Sequence, residues 1–177
     1  MSKMRLATVW LDGCSGCHMS LLDLDERLLA VAEKADLVYS PLVDNKIFPE
    51  DVDITLVEGA VSNEEDLHKI RMVRERTRIL VSLGDCAVTA NVPGMRNPFL
   101  TSEVYDRAYR ENVTFDPGIP NQVIPPLLPY SRPVHEIVPV DVFVPGCPPS
   151  ADVIFYAVSE LLEGRIPELS AKTRFGA

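Results

Sequence analysis

The feature that most constrains the fold of this chain is the placement of its four cysteines. Cys14 and Cys17 lie in a glycine-containing stretch that directly follows the apolar run of residues 6–11. Cys86 and Cys147 also follow apolar runs, and each lies close to glycine or proline. Every cysteine therefore occupies the same kind of place, a loop that immediately follows a predicted strand.

Apolar runs alternate with amphipathic segments along the chain, which is typical of an α/β fold with a mainly parallel sheet in three layers. Because strand-to-helix loops in such a sheet leave the same edge, the cysteine loops are expected to meet there. Strands are predicted at residues 6–11, 37–40, 53–57, 78–83 and 140–144. Helices are predicted at residues 20–32, 63–76 and 150–162.

A proline-rich segment, residues 92–139, interrupts this pattern before the last strand and contains most of the 15 prolines. Proline breaks long helices and central strands, so only a short helix at residues 102–110 is predicted there. The segment is rich in apolar residues, whereas disordered segments have low hydrophobicity. We therefore predict an ordered insertion within a single domain that spans residues 1–177. Arg96 and Glu103 in this insertion are candidates for contacts with a partner.

The net charge of −9 argues against binding to nucleic acid or to an anionic membrane surface, because both need clustered Lys and Arg. No run approaches about 18 consecutive apolar residues, so no transmembrane helix is expected. The N-terminal residues lack the features of a signal peptide, and the chain is predicted to be cytoplasmic. In that reducing compartment four cysteines are more often metal ligands or reactive thiols than two disulfides.

Four thiolates at one point form a ligand set for either a zinc ion or a [4Fe–4S] cluster. Structural zinc sites commonly use two short cysteine pairs, whereas this chain has one C-x2-C pair and two isolated cysteines. The spacing favours a cluster, with a zinc-stapled interaction module and ordinary buried cysteines as alternatives. Flavin mononucleotide is disfavoured in this chain, because the loop after the first strand offers cysteines where a phosphate site uses hydroxyls and free amides.

Four motifs surround the cysteines and the end of the third predicted strand. They are LDGCSGCHMS at residues 11–20, EGAV at 58–61, GDCA at 84–87 and PGCPP at 145–149. In this order they resemble the cluster-binding domain of [NiFe]-hydrogenase small subunits, and especially those of soluble NAD-reducing hydrogenases. The resemblance covers nearly the whole chain and implies a flavodoxin-like fold. It also implies that one [4Fe–4S] cluster is held by Cys14, Cys17, Cys86 and Cys147.

The resemblance implies an electron-relay subunit of an oxidoreductase with no complete active site of its own. Hydrogen is expected to be split at a nickel–iron centre in a separate large subunit. Electrons would then pass through the cluster towards iron–sulfur and flavin subunits that carry FMN and reduce NAD. The alternative within this class is a relay subunit of another soluble hydrogenase, with a deazaflavin, sulfur or a disulfide reductase as acceptor.

Two departures distinguish this chain from relatives of that family. Exported hydrogenase small subunits carry a twin-arginine signal and further cysteines, and this sequence has neither. The related complex I subunit has two adjacent cysteines where Ser15 and Gly16 separate Cys14 from Cys17. A soluble subunit with one cluster is therefore expected.

Glu58 directly follows the third predicted strand, at the same sheet edge as the cysteines. The resemblance implies that Glu58 tunes the cluster, relays a proton or acts as a spare oxygen ligand. Tuning is expected because a carboxylate near the cluster disfavours added negative charge. A helix-capping or loop carboxylate is the alternative. His18 is expected to act next to the ligands or at an interface rather than to bind iron.

The other polar residues near these motifs are expected to have local roles. His68 and His135 have no chemically matching neighbours in sequence and are predicted to lie at the surface. Asp12 and Asp85 each stand within two residues of a cysteine, where a turn-forming role is expected.

Overall fold

The computed structural model describes residues 3–173, which form strands and helices in alternation. The strands are β1 Met4–Trp10, β2 Ala35–Tyr39, β3 Val52–Glu58, β4 Val61–Asn63, β5 Thr77–Leu83, β6 Leu127–Arg132 and β7 Val142–Val144. The helices are α1 Gly16–Leu22, α2 Arg27–Lys34, α3 Glu64–Glu75, α4 Asp85–Thr89, α5 Asn91–Gly94, α6 Thr101–Asp106 and α7 Ala151–Leu162. Within residues 3–173, no helix combines the length and the apolar character that crossing a membrane requires.

Five strands form a parallel sheet in the order β2-β1-β3-β5-β7, which is the flavodoxin-like order. The order reverses between β1 and β3, so this is the point where loops diverge and leave a crevice. The ends of four neighbouring strands are also in register: Trp10 pairs with Glu58, Glu58 with Leu83, and Leu83 with Val144. The loops that follow these strands therefore begin at the same level.

Apolar cores cover both faces of the sheet. Successive strand residues point to opposite faces, and in β5 they join different cores. Val81 packs in the core that contains Ile154 of α7, whereas Leu80 packs in the core that contains Ile70 of α3. A sheet that is buried on both sides needs strands that are apolar almost throughout, as these are. The predicted three-layer α/β fold is confirmed.

The predicted helix at residues 20–32 is wrong in one respect, because two helices occupy this region. The first, α1, begins at Gly16 inside the cysteine motif, and the second, α2, begins at Arg27. Between them Asp25 has a φ of 50°, which interrupts the helical backbone, while Leu24 is buried in the turn. Of the leucines that suggested one continuous helix, Leu24 is buried whereas Leu22 and Leu29 are exposed, and the pattern did not reveal the break.

The proline-rich insertion contains several short elements. A helix begins at Thr101 and continues as a π-helical turn, Arg107–Glu111, close to the predicted helix at 102–110. The sequence did not indicate that β6 would pair antiparallel with the three-residue strand β4 in a second small sheet. Proline is normally confined to edge strands, and Pro129 lies in such a strand here.

Arg96 and its neighbour join the insertion to this small sheet. The Arg96 guanidinium Nη2 donates to the carbonyl oxygens of Ser62 at 3.0 Å and Leu128 at 2.9 Å. Asn97 exchanges two hydrogen bonds with the Ser131 backbone, at 2.9 and 2.8 Å. Arg96, a candidate for contact with a partner on sequence grounds, thus binds the carbonyl groups of its own chain.

Replacing Arg96 with alanine is expected to lower the free energy of unfolding by about 1–3 kcal/mol, because carbonyl groups lose a charged donor. Arg107→Ala is the control, since Arg107 is 70% exposed and pairs with Glu111 within the same helical segment. That variant is expected to change stability by less than about 0.5 kcal/mol. Urea denaturation of the three proteins measures the difference, and equal losses in both variants would contradict this role for Arg96.

Candidate metal centre

The four cysteines line one cavity of about 80 Å³ at the carboxyl edge of the sheet. Cys14 lies in the loop after β1 and Cys17 in the first turn of α1, which follows that loop. Cys86 lies in the first turn of α4, directly after β5, and Cys147 lies in the loop between β7 and α7. The structure thus brings together the residues that the sequence placed at equivalent strand ends.

Glycine permits the segment that carries Cys17 to pack closely against the segment that carries Cys86. Gly84 directly follows β5 and has a φ of +83°, and a Cβ atom at this position would overlap the sulfur of Cys17. Ser15 also has a positive φ, 66°, and the chain enters α1 directly after it. These two backbone conformations let Cys17 lie directly against Gly84, beside Cys86.

The carboxylate of Asp85 connects the Cys86 and Cys147 segments. Asp85 Oδ1 accepts a hydrogen bond from the backbone N of Gly146 at 2.7 Å, and its own backbone N donates to the carbonyl of Gly146 at 2.9 Å. Asp85 is buried, and its carboxylate reaches across 61 residues of sequence, beyond the local turn that was expected. It therefore sets the separation of two cysteine-bearing loops.

A second group of backbone bonds holds the end of β3 against the Cys14 loop. The Leu11 N donates to the Glu58 carbonyl at 3.0 Å, and Asp12 and Ala60 exchange two bonds of 3.0 and 2.7 Å. Between them, Gly59 has a φ of +86°, and a Cβ atom there would lie 2.7 Å from the Leu11 carbonyl carbon. Glu58 is therefore held beside the cysteine cavity, and it is one of the residues that line it.

The electrostatics of the cavity disfavour several thiolates without a cation. Burial raises the pKa of the Cys17 thiol far above its usual range, and the nearby Glu58, Cys86, Cys14 and Cys147 raise it further. Burial also raises the pKa of Cys86, with Cys147 and Cys14 contributing in the same direction. A metal group replaces thiol protons when it binds, so positive metal charge would relieve this repulsion.

Exposure differs between the cysteines and shows where the cavity opens. Cys17 and Cys86 are half-buried, whereas Cys14 and Cys147 are exposed. The Asn91 amide Nδ2 lies 3.6 Å from Cys147 Sγ, at the exposed side. A group bound by these four residues would lie against the protein on one side and near the surface on the other.

Glu58 and His18 form a buried pair next to Cys17. Glu58 Oε2 accepts a hydrogen bond from the His18 backbone N at 2.8 Å. The ring atom Nδ1 of His18 lies 3.0 Å from the same oxygen, without hydrogen-bond alignment. Glu58 Oε1 is buried and has no hydrogen-bond partner in the described part of the chain. The ring nitrogen Nε2 contacts Thr8, which sequence reasoning missed because a lone threonine in an apolar strand carries no motif.

The four cysteines around the cavity form a donor set that fits a [4Fe–4S] cluster. Zinc gathers its sulfur ligands within about 2.3 Å of one point. A [4Fe–4S] cluster instead presents a separate iron atom to each of four cysteines, so its ligands are spread around a larger volume. The four sulfurs around one cavity match that donor set.

The remaining polar residues that the sequence singled out lie away from the cavity or serve local structure. His68 and His135 are exposed, as predicted, and His135 packs edge-on against the Phe143 ring at 5.6 Å. Asp12 is exposed, and its backbone supports the loop. Glu103 Oε2 accepts from the backbone N of Leu100 at 2.8 Å, which caps α6.

Replacing Gly84 with alanine is expected to lower the metal affinity of the site by roughly 10–100-fold, because the new Cβ displaces a ligand sulfur. Iron and sulfide analysis of the purified protein measures the loss. Gly118→Ala is the control, because nothing lies within 4 Å of a Cβ atom at that position. Full iron content in Gly84→Ala, or equal loss in the control, would contradict the packing described for Cys17.

Comparison with known proteins gives consistent matches over most of the chain. The family model for the NADH ubiquinone oxidoreductase 20 Kd subunit matches residues 14–161. The NAD-reducing hydrogenase HoxS subunit delta of Cupriavidus necator is 44% identical over 168 residues, which cover 92% of this chain and 80% of that protein. A vhu-type subunit of the F420-non-reducing hydrogenase of Methanocaldococcus jannaschii is 40% identical over 171 residues, which cover 96% of this chain but 59% of that protein.

Solved structures agree with these relationships. A chain of the NAD+-reducing [NiFe]-hydrogenase in its H2-reduced state is 42% identical to this chain, with a TM-score of 0.93. The match covers 98% of this chain and 99% of that chain. A chain of the [NiFeSe]-hydrogenase of Dm. baculatum has a TM-score of 0.61 at 20% identity, which shows a shared fold. The chain therefore belongs to the NADH ubiquinone oxidoreductase 20 Kd subunit family, and it is a small hydrogenase subunit related to NAD-reducing and F420-non-reducing hydrogenases.

Proposed function

We propose that this chain is the electron-relay small subunit of a soluble NAD-reducing [NiFe]-hydrogenase, with one [4Fe–4S] cluster held by Cys14, Cys17, Cys86 and Cys147. The observation that carries the proposal is the convergence of these four thiols on one cavity at the register-aligned strand ends. The match to an NAD+-reducing [NiFe]-hydrogenase chain at a TM-score of 0.93 supports it.

A [4Fe–4S] cluster in this site would supply one-electron transfer. The chain contributes the four thiolates, and the hydrogen bonds of Asp85 keep the Cys86 and Cys147 segments at a fixed separation. The body of the domain shields Cys17 and Cys86, while exposed Cys14 and Cys147 leave one side of the cavity open. Glu58 places a carboxylate beside the ligands, which would tune the group that they hold.

Partners complete the proposed reaction. The large subunit would hold the nickel–iron centre that splits hydrogen, and iron–sulfur and flavin subunits with FMN would reduce NAD. The sequence of this chain contains no glycine-rich dinucleotide fingerprint, so NAD is assigned to a partner. The chain is proposed to act in the cytoplasm and to form a single domain, residues 1–177. Its net charge of −9 argues against nucleic-acid and membrane partners.

A second candidate has the same relay role but a different electron acceptor. It is favoured by the 40% identity to the vhu-type subunit of an F420-non-reducing hydrogenase, and the Sulfhydrogenase 2 subunit delta of Pyrococcus furiosus is also 32% identical over 164 residues. The four-cysteine site is compatible with either electron acceptor. The companion subunits decide between them.

Purification of the chain with its companion subunits is expected to give a complex that contains nickel and that reduces NAD with hydrogen. Replacing Cys86 with serine is expected to abolish this reaction and the cluster's electron paramagnetic resonance signal, since one ligand of four is lost. Dye reduction by hydrogen at the nickel–iron centre provides a separate assay of the large subunit.

Ser82→Ala is the matched control, because the Ser82 hydroxyl is buried near the same strand end and has no hydrogen-bond partner in the described chain. That variant is expected to keep the signal and the activity. A complex without nickel would refute the hydrogenase assignment. A nickel complex that reduces another acceptor but not NAD would identify the second candidate, and a colourless protein with one zinc per chain would show a zinc-stapled interaction module.

A further inference from the structure

The start of the proline-rich insertion supplies hydrogen-bond donors to two of the four cysteines. The Asn91 side-chain nitrogen Nδ2 lies within hydrogen-bond reach of Cys147 Sγ, at 3.6 Å. The backbone N–H of the next residue, Val92, donates to the Cys86 thiol. Cys86 follows β5 and Cys147 follows β7. Two adjacent residues therefore direct donors at sulfurs that belong to different strands of the sheet.

The backbone before Asn91 explains how its side chain reaches this position. Ala90 is buried, has a left-handed conformation with a φ of 63°, and its N–H donates to the Cys86 carbonyl at 2.9 Å. This conformation is unfavourable for a residue with a Cβ atom. The Asn91 backbone N donates to the Thr89 hydroxyl at 3.4 Å. The turn at Ala90 thus attaches Asn91 to the segment that carries Cys86.

The amide of Asn91 presents to Cys147 the end that matches a metal-bound sulfur. A cysteine that binds a metal is a thiolate, so its sulfur accepts hydrogen bonds and has no proton to donate. The amide nitrogen of asparagine carries two N–H donors, whereas the amide oxygen only accepts. The nitrogen is the atom that faces Cys147. Asn91 is therefore oriented to stabilise negative charge on this sulfur.

The neighbouring contact of Val92 shows the effect that such a donor has. Burial raises the pKa of the Cys86 thiol, whereas the N–H of Val92 lowers it, because a donor favours the charged form of the group that accepts from it. An added electron increases the negative charge of a cluster and of the sulfurs that hold it. Hydrogen bonds to those sulfurs therefore favour the reduced form and raise the reduction potential.

We propose that Asn91 raises the reduction potential of the metal group at the four cysteines by donating its amide N–H to the Cys147 thiolate. This inference rests on the proposed function and extends it to a residue that acts on electron affinity without binding the metal. Asn91 and Cys147 are both exposed, at the open side of the cavity. The amide occupies a position from which water would otherwise donate, so its removal is expected to change the potential modestly.

The test uses the purified complex and measures the midpoint potential of the cluster by redox titration with electron paramagnetic resonance detection, at one fixed pH near neutrality. Asn91→Leu removes the donor at similar size. It is expected to lower the ratio of reduced to oxidised cluster at a fixed potential by about threefold, which corresponds to roughly 28 mV for one electron. Asn91→Asp keeps the shape and adds negative charge, and is expected to lower the ratio by about tenfold, or about 59 mV.

The same two changes at Asn45 are the matched control. The Asn45 amide donates to the Val38 carbonyl at 3.0 Å, in the turn after β2, and Asn45 does not line the cysteine cavity. Both Asn45 variants are expected to leave the ratio within about 1.5-fold, roughly 10 mV by the same conversion. After transfer to D2O, electron–nuclear double resonance is expected to detect fewer exchangeable protons near the cluster in Asn91→Leu than in the parent complex.

The outcomes separate this inference from the proposed function. A parent complex that contains no iron–sulfur cluster removes the proposed function. A parent complex with the cluster, in which the Asn91 variants shift the potential no more than the Asn45 variants or shift it upwards, overturns the role of Asn91 and leaves the relay function intact. If Asn91→Leu does not assemble, Asn91→Asp is measured alone against Asn45→Asp. Loss of the cluster from both Asn91 variants also overturns the proposal, because Asn91 would then be needed to hold the group.

Discussion

The shared register of four parallel strand ends is the constraint on which the site depends. Trp10, Glu58, Leu83 and Val144 are successive partners across the sheet, so the segments after them start side by side. Backbone hydrogen bonds fix that alignment before any ligand side chain is considered. A slip of one residue in a single strand would move its cysteine away from the others and turn its apolar residues to the wrong core.

Close packing of the loops turns this alignment into a binding site. Gly59 and Gly84 take backbone conformations in which a side chain would collide with the neighbouring segment. The bonds of Asp85 to Gly146 and of Leu11 to Glu58 then connect loops that are distant in sequence. The result is a set of thiols whose burial and proximity oppose ionisation, so converting several of them to thiolates requires compensating positive charge.

Much of this arrangement could be predicted from the sequence, because its signals are local and repeated. Alternating apolar segments indicated the three-layer fold, and four equivalent cysteine positions indicated one site. The pairing of β4 with β6 was not predictable, since a three-residue strand and a proline-containing strand carry weak local signals. The contact of Thr8 with His18 was also hidden, because it depends on which residues of β1 and of α1 face each other, and periodicity does not specify this.

The distribution of the cysteines over the chain also bears on when the site can exist. Cys147 follows β7, the strand that pairs with β5 at the edge of the sheet and comes last in chain order among the five. During synthesis, domains fold largely as units once their sequence is available. The first two thiols therefore emerge from the ribosome long before their partners, and any metal group must be delivered after the last strand of the sheet has been made.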